Sequence, residues 1–173
     1  MENDLVALME TLDEITLVAS DGRELSISKF IFMARSEVFR AMFTNDTKEK
    51  KENRVHFKDM ASNVLEKLVM FLTTDKVDQM DDQTAHQLGL IANQYNIPLL
   101  FRLVEDYFSD NCKKENARFV IELAYLHKST KLASAFVNRT GEKTLKRALE
   151  IASYPPVYNE EAFLMEWMLV DWH

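Results

Sequence analysis

Glycine, proline and cysteine are all scarce in this chain of 173 residues. The three glycines, Gly22, Gly89 and Gly141, lie too far apart in sequence to form a glycine-rich phosphate loop. The single cysteine, Cys112, excludes a disulfide within the chain and is typical of an intracellular protein. We expect its thiol to be partly packed at the end of a helix.

Secretion and membrane signals are also missing from the sequence. The first residues are acidic and lack a basic start followed by an apolar segment. No apolar run reaches the length needed to cross a bilayer. We therefore expect a soluble intracellular protein, in the cytoplasm, the nucleus or both, with no membrane partner.

Positive charge is too sparse for broad contact with nucleic acid. The chain has 28 acidic and 21 basic residues, a net charge of −7, which disfavours binding to a phosphate backbone. Its one basic group, Lys48, Lys50 and Lys51, is interleaved with Glu49 and Glu52. This pattern favours a solvated loop, so no nucleic-acid partner is expected.

A catalytic set is missing from the sequence as well. His56 falls on the polar side of a predicted strand, His86 on an exposed helical position and His127 at a helix end. None of them has a nucleophile or carboxylate in a recognisable pattern, and no group has metal-ligand spacing. The adjacent Asp81 and Asp82 are interpreted as acids at a helix start rather than an acid/base pair. The sequence predicts a protein that is not an enzyme and needs no metal or cofactor.

Apolar periodicity does reveal an order of elements. Residues 15–19 alternate as a strand, Asp21-Gly22 predicts a two-residue hairpin turn, and Leu25 and Ile27 continue a second strand. From Lys29 the spacing becomes helical, with a break at Ser36, which can cap a second helix. Residues 44–53 are polar without a period and predict an exposed loop before a short strand at 54–57.

The second half of the chain is predicted to be helical. Thr84 and Gln87 form a candidate capping box, and Pro98 suits the first turn of the helix that carries Leu99. The predicted helices are 61–72, one starting near Thr84, one starting at Pro98, 115–127, 131–140, 143–151 and 159–173. Few strands and many helices predict an α+β fold. The segment 159–173 is apolar on most faces, so it either packs on the preceding helices or docks on a partner.

The segment Glu24 to Phe43 also carries a resemblance to a known family. Its strand, helix, Ala-Arg-Ser break and Ser-x-x-Phe helix resemble the BTB/POZ domain. The matching residues are Leu25, Lys29, Ile31, Ala34, Arg35, Ser36, Phe39, Met42 and Phe43, followed by Asn53-Arg54-Val55, Tyr95-Asn96-Ile97 with Leu99, Glu115-Asn116-Ala117 and Leu126-His127. The likeness is closest to the BTB domain and three-box of MATH-BTB proteins, which are adaptors of cullin-3 ubiquitin ligases.

This resemblance implies a BTB/POZ fold, in which a short β-sheet is joined to a cluster of helices. It also suggests three divisions of the chain. Residues 1–112 would form the BTB/POZ domain with an N-terminal dimerisation helix, residues 113–140 a three-box-like helix pair, and residues 141–173 a helical C-terminal extension.

A stripe of apolar residues on the predicted N-terminal helix suggests a dimer interface. Leu5, Met9 and Leu12 fall on one face of a predicted helix, and this face needs a cover. It could fold back on its own domain. The resemblance instead implies that these residues, with Ile31, form a two-fold interface with a second copy or with another BTB protein.

The resemblance assigns cullin-3 contacts to Thr47, Glu49 and the turn Tyr95, Asn96 and Ile97. Glu49 matches the family, but Thr47 stands where the family has an apolar anchor. Two functions stay open. The chain could be a dimeric adaptor that brings an unknown substrate protein to a cullin-3 ligase for ubiquitination. Alternatively, it could be a homodimerising or heterodimerising interaction module without ligase activity.

Overall fold

The structure is a computed structural model that describes residues 13–141. The chain divides into two compact units. Unit 1 comprises Met1–Met80 and Gln94–Leu100, and unit 2 comprises Asp81–Asn93 and Phe101–His173. Three sets of predictions therefore lie outside the described residues: the N-terminal stripe of Leu5, Met9 and Leu12, the helix at 143–151, and the apolar segment 159–173.

Unit 1 contains a three-stranded sheet. Its strands are β1 (Glu14–Val18), β2 (Glu24–Ser28) and β3 (Arg54–His56), in the order β2-β1-β3. Strand β1 pairs antiparallel with β2 and parallel with β3, so that Leu17 lies opposite Leu25 on one side and Val55 on the other. The parallel pairing requires the chain to cross over between β2 and β3, and this crossover consists of short helices.

The predicted two-residue turn between β1 and β2 is wrong. The amide of Ala19 donates to the carbonyl of Arg23 at 2.9 Å, which leaves a three-residue loop, and Gly22 has a φ of 82°. Loops of this length favour glycine in the left-handed conformation. The Asp21 carboxylate in this loop accepts from the amide of Ser62 at 3.2 Å, at the first residue of a later helix. Hydrogen bonds with Ser62 and with the Arg23 amide lower the pKa of Asp21.

Four helices of unit 1 are described: α1 (Lys29–Arg35), α2 (Glu37–Thr44), α3 (Lys48–Glu52) and α4 (Ser62–Thr74). The break predicted at Ser36 is confirmed, because its hydroxyl accepts from the amide of Phe39 at 3.2 Å and caps α2. The exposed loop predicted for residues 44–53 is partly wrong, since α3 lies within it. This helix buries no side chain, so it leaves no apolar period in the sequence.

Aromatic and aliphatic side chains from α1, α2 and α4 form the core of unit 1. The rings of Phe32 and Phe39 stack with centroids 3.8 Å apart, and both side chains are fully buried. Helix α4 contributes Leu65, Leu68 and Leu72. Burying side chains of this kind contributes about 1.5–3 kcal/mol each, so this cluster holds α1 and α2 in place.

Four further helices follow in the chain: α5 (Asp82–Gln94), α6 (Pro98–Asn111), α7 (Ala117–Leu126) and α8 (Thr130–Thr140), with a 3-10 turn at Lys114–Asn116. They belong to unit 2 except for Gln94 and the first three residues of α6, which belong to unit 1. The predicted Thr84 cap is wrong: α5 begins earlier, and the Asp81 carboxylate accepts from the Thr84 amide at 2.7 Å. Aspartate at this position caps a helix as well as threonine does. Pro98 does begin α6, as predicted.

The end of α6 carries the single cysteine of the chain. Cys112 follows directly after α6 and is buried, and burial raises the pKa of its thiol. Within residues 13–141, no helix is both long enough and apolar enough to cross a membrane.

Candidate functional site

The resemblance assigns two groups of residues to a partner: Thr47 with Glu49, and the turn at residues 95–97. Helix α2 lies between them in the structure. At its C-terminal end, the hydroxyl of Thr47 donates to the carbonyl of Met42 and accepts from the amide of Lys50 at 3.2 Å. At its N-terminal end, the hydroxyl of Ser36 donates to the carbonyl of Tyr95. An eight-residue helix is about 12 Å long, so these two hydrogen-bonded ends are separated by roughly that distance along α2.

Thr47 is the N-cap of α3. Its hydroxyl is occupied both as a donor and as an acceptor, and its methyl group is too small to serve as a large apolar anchor. Glu49 lies in the first turn of α3 with a half-exposed side chain. The structure therefore gives Thr47 a positioning role: it fixes α3, and with it Glu49, at the end of α2.

The turn at the other end presents one of its three predicted residues outward. Tyr95 is 9% exposed and Ile97 is 2% exposed, while Asn96 is exposed with a φ of 48°. The Tyr95 ring lies 4.7 Å from Phe39 and 5.6 Å from Phe57, centroid to centroid. Burial, together with the charge of Asp59, raises the pKa of Tyr95. Tyr95 and Ile97 thus hold the turn, and their role toward a partner stays a prediction.

The exposed stripe of α2 is mainly polar, and unit 1 also exposes an apolar residue at the start of α6. Helix α2 exposes one stripe, and Leu99, in the first turn of α6, is 52% exposed. The stripe consists of Glu37, Arg40, Ala41 and Thr44. The sequence predicts that Leu99 lies on the helix that starts at Pro98, and the structure confirms this position. Its neighbours Ile97 and Leu100 are buried.

Helix α1 presents a second exposed apolar residue of unit 1. Phe30 is 58% exposed, whereas Phe32 is fully buried and Ile31 is half-buried. The predicted interface residue Ile31 therefore adjoins a larger apolar side chain that the sequence reasoning did not single out. An exposed phenylalanine on a helix is a common anchor in protein interfaces.

In unit 2, helix α7 is attached to α5 by two histidines. His86 is a 2.8 Å hydrogen-bond partner of Glu122, and its ring stacks on Phe119 at 4.2 Å. The side chain of His86 is 14% exposed, so the predicted exposed position, without a nearby carboxylate, is wrong. Both partners come from a helix more than thirty residues later, which periodicity within α5 does not reveal. The hydrogen bond from His86 lowers the pKa of Glu122 against the opposing effect of burial.

The second histidine lies where α5 and α7 come closest. His127 makes a 2.9 Å hydrogen bond with the carbonyl of Gly89 and stacks on Phe101 at 3.5 Å. A Cβ atom on Gly89 would lie 2.6 Å from the side chain of Leu123, so a larger residue here would force that side chain to shift. Burial lowers the pKa of His127. Both histidines thus serve helix packing.

Helices α7 and α8 form a tight pair. The hydroxyl of Ser129 caps α8 by accepting from the amide of Leu132 at 3.0 Å, and it donates to the Glu105 carboxylate. Lys128 has a φ of 52°, which permits the sharp turn between the helices. The pair buries one face and leaves Tyr125 and Leu126 exposed at the end of α7.

The pair Asp81 and Asp82 does lie at a helix start. Burial disfavours the charged form of Asp82, but hydrogen bonds from Lys113 and Tyr107 hold its pKa below the usual value. Burial and the hydrogen bond to Asp82 raise the pKa of Tyr107 to about 12. The carboxylate is therefore occupied by structural partners. Among residues 13–141, no group of three or more His, Cys, Asp or Glu side chains is arranged to hold a metal ion.

Comparison with known proteins gives two findings. Residues 6–112, more than half of the chain, match the BTB/POZ domain family. Among solved structures, the BTB domain of human gigaxonin is similar at 16% sequence identity, with 60% of this chain and 84% of that chain covered and a TM-score of 0.47.

Proposed function

The chain belongs to the BTB/POZ domain family, whose members are protein-interaction modules, and we propose that it is a dimeric adaptor of a cullin-3 ubiquitin ligase. The observation that carries this proposal is the arrangement around α2. Thr47 and Lys50 hold α3 at one end of the helix, and Ser36 holds the Tyr95 turn at the other. Glu49 and Asn96, which the resemblance assigns to cullin-3, thus belong to segments held at opposite ends of α2.

Dimerisation is the second part of the proposal. Phe30 and Ile31 on α1 would form an apolar contact with a second copy or with another BTB protein, together with the predicted stripe Leu5, Met9 and Leu12. The 58% exposure of Phe30 supports it, because a contact of this kind removes a large apolar surface from water. The α7–α8 pair lies within residues 113–140, which the resemblance assigns to a three-box, and it would provide a further cullin contact. The substrate protein is unidentified.

Binding to the N-terminal domain of cullin-3 tests the adaptor. We expect the full chain to bind with micromolar or tighter affinity in titration calorimetry, and light scattering to give the mass of a dimer. Glu49→Gln should weaken binding, whereas Glu52→Gln, on the same helix, should leave it unchanged. Absence of binding at micromolar concentrations would reject the adaptor.

A second candidate function is a pairing module that dimerises without a ligase. The hydrogen bonds of Thr47 favour this alternative. Its hydroxyl caps α3, and its side chain is too small to act as an apolar anchor for a cullin. A chain that forms dimers in light scattering but does not bind the cullin domain would establish this alternative.

A further inference from the structure

The C-terminal end of helix α7 carries an apolar patch. Tyr125 and Leu126 are 46% and 38% exposed, and they are the exposed large hydrophobic side chains in the described part of unit 2. His127, the next residue in the chain, stacks on Phe101 at 3.5 Å, and both of these rings are half-buried. These four residues, from the end of α7 and the start of α6, are called the α7 patch below.

The backbone of the α7 patch is held firmly. The amide of Lys128 donates to the carbonyl of Tyr125 at 3.2 Å, and the amide of Ser129 donates to the carbonyl of Ala124 at 2.9 Å. A segment that covers the patch therefore has little backbone order to impose. Beside it lies a free positive charge: Lys128 is exposed, and none of the ion pairs within residues 13–141 includes it.

The apolar segment 159–173 lies outside the described residues, and its composition complements the α7 patch. Its large apolar residues are Phe163, Leu164, Met165, Trp167, Met168, Leu169, Val170 and Trp172. Its charged residues are all acidic: Glu160, Glu161, Glu166 and Asp171. A predicted helix that is apolar on most faces needs an apolar surface to cover it, and acidic side chains favour a surface that also carries a lysine.

The length of the chain lets this segment reach the α7 patch. Helix α8 begins at Thr130, soon after α7 ends at Leu126, and its eleven residues span about 16 Å. Residues 142–158 connect the end of the described chain to the segment, and when extended they span up to about 55 Å. A tether of this kind gives an effective concentration of about millimolar, so any protein in solution would compete with the segment at a disadvantage.

We propose that segment 159–173 docks on the α7 patch of its own chain. Its apolar side chains cover Tyr125 and Leu126, and its acidic side chains face Lys128. The occupant is thus this chain's own C-terminal segment rather than a second copy or another protein. A protein that binds this end of the α7–α8 pair has to displace the segment first. The inference is independent of the proposed cullin contact.

Tryptophan fluorescence of the full chain tests the inference, because both tryptophans, Trp167 and Trp172, lie in the segment. We expect the parent chain to emit at shorter wavelength than it does in urea, and acrylamide to quench this emission less. The double variant Tyr125→Gln/Leu126→Gln should move emission and quenching toward the values in urea, since loss of these buried apolar contacts weakens docking by at least about tenfold.

Two variants serve as controls. Leu126→Met should behave like the parent chain, because it keeps apolar volume. Leu99→Gln changes an exposed leucine of unit 1 and should leave the tryptophan emission unchanged. Circular dichroism verifies that each variant is folded. If the double variant is unfolded, Tyr125→Gln alone replaces it, since that side chain is 46% exposed and its substitution should not disturb the core.

Three results would overturn the inference. If the parent chain already emits as it does in urea, the segment is not docked. If the parent emission is that of buried tryptophan and the folded patch variant leaves it unchanged, the segment docks elsewhere. If the emission of the parent chain shifts along a dilution series together with its mass in light scattering, the segment covers a second copy.

Discussion

The hydroxyl of Thr47 donates its hydrogen bond to the carbonyl oxygen of Met42, near the end of helix α2. The same oxygen accepts from the amide of Lys50 and starts helix α3. One side chain therefore ends one helix and begins the next. This explains why a small polar residue is useful at a position where the BTB/POZ resemblance implies an apolar one.

Removing this cap should loosen α3. Thr47→Ala is expected to lower the stability of the helix by about 1 kcal/mol, a typical value for a lost N-cap. Hydrogen exchange of the Lys50 and Lys51 amides should become faster, while Thr47→Ser, which keeps the hydroxyl, should exchange like the parent chain. Unchanged exchange in Thr47→Ala would show that the cap is dispensable.

The same reasoning applies to an apolar replacement at this position. Thr47→Met supplies an anchor but removes the cap, so α3 and Glu49 lose their fixed position. We therefore expect Thr47→Met to increase the affinity for the cullin domain by no more than about tenfold, which corresponds to about 1.4 kcal/mol of binding free energy. Titration calorimetry against the parent chain measures this, and a gain of a hundredfold would contradict the positioning role of Thr47.

Gly89 should not tolerate a side chain. Gly89→Ala places a methyl group 2.6 Å from the buried Leu123. Overpacking of this kind costs about 1–3 kcal/mol, which outweighs the helix preference of alanine of at most about 1 kcal/mol. We expect a net loss of up to about 2 kcal/mol in the free energy of unfolding, measured with urea. In a Leu123→Ala background, Gly89→Ala should instead increase the free energy of unfolding. If it lowers the free energy of unfolding there by the same amount, the clash with Leu123 is not the cause.

His127 should make the fold sensitive to mild acid. Burial lowers its folded-state pKa below the ordinary value of 6.5. The contribution of the neutral ring is therefore present above about pH 6.5 and is lost as the pH falls through the lower folded-state pKa. The urea midpoint should fall between pH 7 and pH 5 more steeply in the parent chain than in His127→Gln. Equal slopes would exclude His127 as the origin.

Phe30 should control pairing without controlling the fold. Because its side chain is 58% exposed in the single chain, Phe30→Asp should leave the unfolding midpoint at low protein concentration nearly unchanged. The dimer dissociation constant should rise by at least about thirtyfold, as expected for an interface anchor contributing 2 kcal/mol or more. Sedimentation or light scattering across a dilution series measures this. Phe30→Leu serves as the matched control and should still pair.

The sequence predicts the secondary structure correctly in the segments where apolar residues recur at regular spacing. The strands around Leu17 and Leu25, the Ser36 break and the helix at Pro98 were all predicted, because each has a buried face or a residue with one strong conformational preference. Helix α3 was missed because it buries nothing. His86 was misplaced because Phe119 and Glu122 reach it from a distant helix. Tertiary contacts of this kind leave no local pattern.

The sequence also predicts the candidate site only in part. Family resemblance assigned residues to a partner, but it could not distinguish side chains that hold the surface, such as Tyr95, from side chains that present it, such as Asn96. The apolar pattern assigns Leu99 and Leu100 to the same helix without distinguishing their faces. Only the direction of the helix at Pro98 decides which of Leu99 and Leu100 points inward.

The carboxylate of Asp21 restricts where this protein can be engineered. A short surface hairpin loop usually accepts an epitope tag or a fluorescent insert. Here the loop carries the carboxylate that receives the amide of Ser62 at the start of α4. Any insertion between Ser20 and Arg23 would carry the carboxylate away and leave the first turn of a core helix to fray. Length in this loop is therefore fixed by a helix that begins about forty residues later in the chain.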